Sequence, residues 1–163
     1  MKIAIVTCSS TRTLAEDTAG AALAERIAAS GWTVCSHVVV DDDRQSIAAA
    51  IIAAAAGAGA GGTSGDGADI VLTCGGSGLS LRDVTPEATA DVCERNVPGI
   101  AEAMRAASLR ITGRAMLSRA VAMQRGSTLV INLPGSLKAA TECYDAIYEQ
   151  FEHAVQMTAG GGH

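Results

Sequence analysis

The segment from Gly75 to Asp83 holds the residue types in this chain that are best suited to binding a phosphate group. Its first four residues read Gly-Gly-Ser-Gly, and glycines let backbone N–H groups approach and surround an anion. Arg82 adds a guanidinium, which suits phosphate, and the Asp83 carboxylate tolerates a neighbouring phosphate when Mg²⁺ lies between them. A tight turn with an Arg82–Asp83 ion pair explains the same residues equally well, so both interpretations stay open on the residues alone.

A second group of acidic side chains, Asp41-Asp42-Asp43, separates an apolar run from an alanine-rich segment. Aspartates in such a position cap a helix and favour its dipole, and this is the simpler interpretation. The functional alternative is a second source of carboxylate for a metal ion, facing the Gly75–Gly78 loop. The spacing alone leaves both interpretations open.

Two further segments place hydroxyl groups beside turn residues or a cation. In the run Asn-Leu-Pro-Gly-Ser over 132–136, Ser136 can cap the helix that follows. Alternatively, Gly135 and Ser136 can offer N–H groups to a phosphate at that helix N-terminus. Ser118 stands beside Arg119, and a turn followed by a surface arginine explains this pair as well as a binding site does.

Several kinds of chemistry lack the residues that they need. The three histidines are isolated and stand at no recognisable spacing from a serine or cysteine, which argues against a nucleophile–base relay. The five cysteines include no Cys-x-x-Cys pair, which argues against a zinc site and favours small buried thiols. The pattern Gly57-x-Gly59-x-x-Gly62 follows an alanine-rich helix instead of a strand, so we interpret it as a flexible connection and not as a dinucleotide-binding loop.

Charge and length restrict the class of protein. The net charge is −5 and there is no long basic run, so we expect no nucleic-acid partner. No apolar stretch is long enough to span a bilayer, and Met1-Lys2 leads directly into a strand-like run, so we expect no membrane association and a cytoplasmic location. The 163 residues fit a single domain over 1–163, with a flexible loop at 57–67 and a disordered tail at 158–163.

The elements that must position these residues alternate between strands and helices. Apolar patterns predict strands at 2–7, 32–40 and 69–74, a hairpin of 119–124 with 127–132, and helices at 14–30, 44–56, from Thr85, 98–109 and 137–157. This order predicts an α/β fold with three layers, in which a mostly parallel sheet with one antiparallel strand carries helices on both faces. The polar segments then meet at the carboxyl ends of the strands, where such folds bind ligands.

The residues over 75–89, Gly-Gly-Ser-Gly-x-x-x-Arg-Asp-Val-Thr-Pro-Glu-Ala-Thr, resemble the signature of the molybdopterin adenylyltransferase family, MogA/MoaB, whose domain also occurs in plant Cnx and in gephyrin. Three further segments are similar to the family in order and spacing: Pro98-Gly99, Ala-Met-Leu-Ser-Arg over 115–119, and the run from Gly126 to Gly135. The resemblance covers nearly the whole chain.

The resemblance implies a three-layer α/β domain that assembles as a homotrimer or a hexamer. It also implies molybdopterin and ATP as substrates and Mg²⁺ as cofactor. In the family's reaction, the terminal phosphate of molybdopterin attacks the α-phosphate of ATP, giving adenylylated molybdopterin and pyrophosphate. By position, Asp42 and Asp83 are the acids implied to be catalytic and to hold Mg²⁺. The residues implied to bind substrate are Gly75, Gly76, Ser77, Gly78, Ser118, Ser127, Asn132, Pro134, Gly135 and Ser136.

The chain departs from the family pattern at four positions. Ser77 stands where the family usually has Thr, which keeps the hydroxyl. Asp41, Leu81 and Leu137 stand where it usually has Pro, which alters the rigidity of the loops. The proline losses, together with the fact that one fold hosts different roles, motivate an alternative: a family member that binds molybdopterin as a scaffold without adenylylating it. A third interpretation is an unrelated phosphate-binding enzyme with the same fold.

Overall fold

A computed structural model describes residues 1–56 and 67–161 of the chain. The strands are β1 Lys2–Cys8, β2 Thr33–Val40, β3 Ile70–Cys74, β4 Arg95–Asn96, β5 Ala122–Arg125 and β6 Thr128–Leu133. The α-helices are α1 Thr18–Ala29, α2 Arg44–Ala56, α3 Thr85–Val92, α4 Pro98–Leu109, α5 Leu137–Asp145 and α6 Phe151–Thr158. Short 3₁₀ turns lie at Leu14–Glu16, Gly113–Leu117 and Tyr148–Gln150. In this part of the chain no helix is long and apolar enough to cross a membrane.

The six strands form one sheet in the order β2-β1-β3-β6-β5-β4. Strands β2, β1, β3 and β6 are parallel, and β5 runs antiparallel to both β6 and β4. The predicted mostly parallel sheet with one antiparallel strand is confirmed. The edge strand β4 was not predicted, because its two residues are exposed and carry no apolar pattern.

Apolar side chains project from both faces of the sheet, and helices therefore cover both faces. Ile3 and Ile5 of β1 pack with residues of α1, α4, α5 and α6 on one face. Their neighbours Ala4 and Val6 pack with residues of α2 and α3 on the other. This alternation along a fully buried strand confirms the three predicted layers.

The predicted helix over 14–30 is interrupted at Asp17, where a 3₁₀ turn ends and α1 begins. Asp17 is buried, and its carboxylate caps α1 by accepting the N–H of Gly20 at 2.9 Å. It also accepts the hydroxyl of Thr7 at 2.5 Å and contacts Nε2 of His37 at 2.8 Å. Burial alone would raise the pKa of Asp17, but these hydrogen bonds outweigh burial and hold that pKa below its usual range.

The flexible loop predicted at 57–67 lies, apart from Gly67, outside the described residues, and so does the glycine pattern within it. Of the tail predicted at 158–163, residues 162–163 also lie outside. Thr158 is the last residue of α6. Gly160 then donates its N–H to Met157 O at 3.1 Å and Gly161 donates to Gln156 O at 2.9 Å, so a turn follows the helix.

Candidate functional site

The Gly75–Gly78 loop leaves β3 through two left-handed residues, Gly75 with φ +110° and Gly76 with φ +62°. A Cβ at Gly75 would lie 2.6 Å from the carbonyl oxygen of Cys8. A Cβ at Gly76 would lie 2.3 Å from the hydroxyl oxygen of Thr85. Both backbone conformation and space therefore require glycine at these positions.

Thr85 holds the first half of this loop. Its hydroxyl donates to Gly75 O at 2.9 Å, and its N–H donates to Gly76 O at 3.0 Å. Helix α3 begins at Thr85 as predicted, with Val84 as its N-cap, and no side chain caps the helix there. The hydroxyl is occupied by the glycine loop instead.

Arg119 holds the second half. Its N–H donates to Ser77 O at 3.0 Å, and its Nε donates to Gly78 O at 2.7 Å. All four carbonyl oxygens of the loop thus accept hydrogen bonds from the protein. Among the described residues, the N–H groups of Gly76, Ser77 and Gly78 have no acceptor, so they are available to an anion.

These three residues line a cavity of about 570 Å³, a size suited to a small organic ligand. One wall is the glycine loop with Asp83, and a second comes from α4, the Gly113–Leu117 turn and Ser118. The third wall is the turn Pro134-Gly135-Ser136 with residues of α5. Two cations also line the cavity. Arg105 is held by Ala120 O at 2.9 Å, and Arg114 is exposed.

Asp83 is one of the residues that line this cavity. Its Oδ2 accepts the N–H of Ser80 at 3.0 Å, and its own N–H donates to Ser80 O at 2.9 Å. The ion pair with Arg82 that the simple turn would require is not formed, and the Arg82 side chain is exposed. Within the described chain, Oδ1 of Asp83 has no hydrogen-bond partner, so one carboxylate oxygen of this cavity-lining residue is available to a cation.

The acidic cluster after β2 divides its roles between two residues. Asp43 caps α2, because its Oδ2 accepts the N–H of Ser46 at 2.8 Å, and this bond holds the pKa of Asp43 below its usual range. Asp42 instead joins the loop after β1: its Oδ2 accepts the N–H of Ser10 at 3.0 Å, and its N–H donates to the Ser10 hydroxyl at 3.0 Å. The capping interpretation thus holds for Asp43, while Asp42 lies at the strand ends without lining the large cavity.

A second hollow of about 510 Å³ adjoins the loop after β1 and the end of β2. Arg12 lines it and donates Nη1 to Gly135 O at 3.0 Å, thereby joining this hollow to the turn that walls the large cavity. Sequence reasoning missed Arg12, because its partner lies 123 residues away and no local pattern marks the contact.

Three of the residues implied to bind substrate, Gly75, Asn132 and Ser127, do not line the cavity. Asn132 is fully buried, with Nδ2 donating to the hydroxyls of Thr73 and Thr89, each at 2.9 Å, and Oδ1 accepting the N–H of Val121 at 3.4 Å. Ser127 lies in the turn before β6, at the end of that strand opposite the cavity. At 3.3 Å per residue, it is roughly 20 Å from the other end of that strand.

The remaining implied substrate residues do line the cavity. Ser118, Pro134, Gly135 and Ser136 all line it. The hydroxyl of Ser136 also accepts the N–H of Ala139 at 3.4 Å, so it caps α5 as the simpler interpretation held.

The two cysteines beneath the glycine loop offer no reactive thiolate. Cys8 and Cys74 end β1 and β3 beneath the glycine loop, and Cys74 donates its S–H to Pro134 O at 3.2 Å. Burial raises the pKa of Cys8 to about 11 and that of Cys74 to about 12. These thiols stay protonated at neutral pH, as expected of small buried side chains.

The donor set near the cavity fits Mg²⁺ bound together with substrate. Among the described residues, no group of three or more His, Cys, Asp or Glu side chains could hold a metal ion alone. Mg²⁺, however, is usually bound by one or two carboxylates together with water and substrate phosphates. The free carboxylate oxygen of Asp83, next to unpaired N–H groups, matches that arrangement.

Comparisons with known proteins agree with this geometry. The family described as "Probable molybdopterin binding domain" matches residues 4–153. Molybdopterin adenylyltransferase from Helicobacter pylori is 45% identical over 92 residues, which are 56% of this chain and 52% of that protein. Molybdenum cofactor biosynthesis protein B from Bacillus anthracis is 38% identical over 134 residues, or 81% of this chain and 75% of that one. In the first of these alignments the chain spans about half the relative's length.

Solved structures show the same fold over almost the full length. The molybdopterin biosynthesis enzyme MoaB from Thermus thermophilus superposes with a TM-score of 0.84 at 38% identity, covering 98% of this chain and 96% of that one. The family match, the shared fold and the glycine loop beside Asp83 agree with the expected resemblance. The chain therefore belongs to the family of molybdopterin-binding domains that includes MoaB and MogA.

Proposed function

We propose that this protein transfers the AMP group of ATP to the terminal phosphate of molybdopterin, giving adenylylated molybdopterin and pyrophosphate. The observation that carries the proposal is the set of unpaired N–H groups at Gly76, Ser77 and Gly78, beside the free carboxylate oxygen of Asp83. Unpaired N–H groups bind an anion such as phosphate, and a free carboxylate oxygen binds the cation that accompanies it. The names of the relatives supply the substrate class.

The reaction needs positioning and charge neutralisation more than covalent help from the protein. The attacking group is a phosphate of the substrate. Among the described residues that line the cavity, the one cysteine is Cys143, and burial raises the pKa of its thiol, so it is not an activated nucleophile. In this proposal the N–H groups of the Gly75–Gly78 loop bind phosphate oxygens and offset the charge that grows on the α-phosphate and on departing pyrophosphate. Because the carbonyl oxygens of the same loop already accept hydrogen bonds from Thr85 and Arg119, the loop need not reorganise when its N–H groups bind phosphate.

Asp83 and Asp42 are the residues that would hold Mg²⁺. Mg²⁺, when bound, neutralises negative charge on the ATP phosphates. Asp83 offers Oδ1 from the cavity wall. Asp42 offers its other oxygen from the loop that Ser10 fixes, on the far side of β1 in the sheet.

Molybdopterin would occupy the large cavity. Ser118, Pro134, Gly135 and Ser136 wall the side opposite the glycine loop, and Arg105 supplies a cation that is already held in place. A fixed guanidinium suits the pterin's phosphate because little side-chain entropy is lost on binding. Ser127 and Asn132 have no part in this pocket within one protomer.

The test is pyrophosphate release by the purified protein with molybdopterin, ATP and Mg²⁺. We expect turnover by the wild type and a loss of at least about 100-fold in Asp83→Asn, which keeps the side-chain shape but removes the charge. The matched control is Asp145→Asn, whose carboxylate pairs with Arg26 away from the site, and which should turn over normally. Binding of molybdopterin without any nucleotide-dependent turnover would instead support the scaffold role.

We further infer that the protein acts in the cytoplasm as a homotrimer or hexamer. The support is its similarity to a family that assembles in this way. Light scattering at micromolar concentration should give a mass near three or six times 16.4 kDa. A stable mass of one chain would contradict the assembly and leave the reaction untouched.

A further inference from the structure

Arg119 touches both ends of the segment that carries Asp83. Its Nε donates to Gly78 O at 2.7 Å, and its Nη2 donates to Asp83 O at 2.5 Å. Between those two carbonyls the chain makes an excursion into solvent in which Leu79 is 63% and Leu81 is 99% exposed. A single guanidinium therefore bridges the two ends of an otherwise exposed loop. We call this segment, Gly78–Asp83, the acidic loop.

Glu87 fixes the guanidinium from the other side. It lies on α3 and forms an ion pair with Nη1 of Arg119, with a second contact from Nη2 to Oε2 at 3.4 Å. The hydrogen bond from Arg119 holds the pKa of Glu87 below its usual range, so the pair is charged at neutral pH. The backbone of α3 thus anchors the guanidinium, which in turn anchors the acidic loop.

Among the described residues, Arg119 is the one side chain outside the acidic loop that hydrogen-bonds to both of its end residues, Gly78 and Asp83. The hydrogen bonds between Ser80 and Asp83 lie within the excursion and would move with it. Thr85 holds Gly75 and Gly76 but not Gly78.

We propose that Arg119 is a positioning residue for the reaction: its guanidinium, oriented by Glu87, sets the place of the Asp83 carboxylate relative to the N–H groups of the Gly75–Gly78 loop. The inference rests on the proposed function, because it assigns Arg119 to the same phosphate and Mg²⁺ site. Arg119 itself need not touch substrate.

The geometry explains why lysine cannot replace this arginine. The Arg119 side chain serves two carbonyl oxygens and a carboxylate at once, from three nitrogens in a fixed plane. An ammonium keeps the charge but is a single point on a flexible stem and cannot span the three acceptors. Arg119→Lys therefore separates the fork geometry from the charge.

The test compares Arg119→Lys and Glu87→Gln with the wild type. The first readout is calorimetric binding of pyrophosphate in the presence of Mg²⁺, with no reaction required. The second is the Mg²⁺ concentration that gives half-maximal turnover. Substituting a residue that orients a metal ligand typically weakens affinity or activity by about 10- to 100-fold. We therefore expect the dissociation constant of pyrophosphate and the half-maximal Mg²⁺ concentration to rise by roughly that factor in Arg119→Lys, and to rise also in Glu87→Gln.

The control is Arg26→Lys, since Arg26 also forms a two-nitrogen ion pair, with Asp145, at 2.9 and 3.4 Å, and touches no residue of the site. Its pyrophosphate affinity should equal the wild-type value. A purely structural role for Arg119 would lower the melting temperature without moving the Mg²⁺ requirement, and that result would overturn the proposal. If Arg119→Lys fails to fold, Glu87→Gln carries the same test.

The outcomes separate this inference from the proposed reaction. Wild-type protein that binds pyrophosphate but never adenylylates molybdopterin would refute the reaction, while the Arg119 comparison could still be read in the binding experiment. Wild-type turnover with unchanged pyrophosphate and Mg²⁺ dependence in both variants would refute only the positioning role.

Discussion

Replacing Gly76 by alanine tests the steric account of the phosphate loop. Alanine must adopt φ +62°, which costs about 1–2 kcal/mol for a residue with a Cβ. Its Cβ would also lie 2.3 Å from the hydroxyl of Thr85, more than 1 Å inside ordinary contact. The hydroxyl must then leave Gly75 O, which forfeits a buried hydrogen bond worth about 1 kcal/mol and leaves its partner unsatisfied.

Gly126→Ala is the matched control, because Gly126 has φ +53° and nothing lies within 4 Å of the added Cβ. It carries the backbone cost alone. We therefore expect Gly76→Ala to be the more destabilising of the two by about 2 kcal/mol. For a chain of this length that difference corresponds to roughly 4–8 °C in melting temperature.

The assay is unfolding monitored by the fluorescence of Trp32, the one tryptophan of the chain. Its ring centroid lies 5.9 Å from that of Phe151, which is in the core on one face of the sheet. All variants are compared at the same protein concentration. Removing the hydroxyl in a Thr85→Ala background should abolish the excess penalty of Gly76→Ala. Equal destabilisation by Gly76→Ala and Gly126→Ala would refute the steric reasoning.

Three further predictions concern the core beneath the site. Asn132→Ala should lower the free energy of unfolding by about 2 kcal/mol in urea titration, because the hydroxyls of Thr73 and Thr89 lose a buried partner. The pKa of Asp17 is lowered in the fold, so its contribution is present above about pH 4 and is lost as pH falls through the folded pKa. Urea titrations from pH 7 to 3 should accordingly show the gap in stability between wild type and Asp17→Asn closing with acid; a constant gap would contradict this. An aromatic disulfide reagent should titrate one thiol in the native protein, Cys35, and five after denaturation.

Local patterns predicted most of the fold. The β-branched runs gave the parallel strands, and the alanine-rich segment predicted at 44–56 is helix α2 with those bounds. The break at Asp17 was not predicted, because the groups that hold its carboxylate include Thr7 and His37, which lie on two other elements. A continuous helical pattern carries no sign of such buried partners.

The site was predictable only where its parts are contiguous in sequence. Glycines directly after a strand, followed by an acid, indicated the loop and Asp83. The roles of Arg119 and Arg12 depend on contacts with residues 36 to 123 positions away, which a single sequence does not encode locally. Position within a motif also did not indicate that the Asn132 side chain is buried inside the fold, or that Ser127 lies at the opposite end of β6 from the cavity.

Two neighbouring acids of the Asp41-Asp42-Asp43 cluster contact different elements. Asp43 caps α2 and satisfies the simple expectation for a helix start. Its neighbour Asp42 instead forms hydrogen bonds with Ser10 in the loop after β1, and its part in binding a metal ion stays a prediction. Two acids that are adjacent in sequence therefore form hydrogen bonds with different elements of the fold.

The central claim is that the AMP group, and not a phosphoryl group, moves to molybdopterin. The most direct measurement supplies ATP labelled separately at the α- or the γ-phosphate, with molybdopterin and Mg²⁺, and follows where each label goes. The account predicts that the α-label appears on molybdopterin while the γ-label leaves in pyrophosphate, and that Asp83→Asn abolishes both. Transfer of the γ-label to molybdopterin, or full transfer of the α-label by Asp83→Asn, would contradict it.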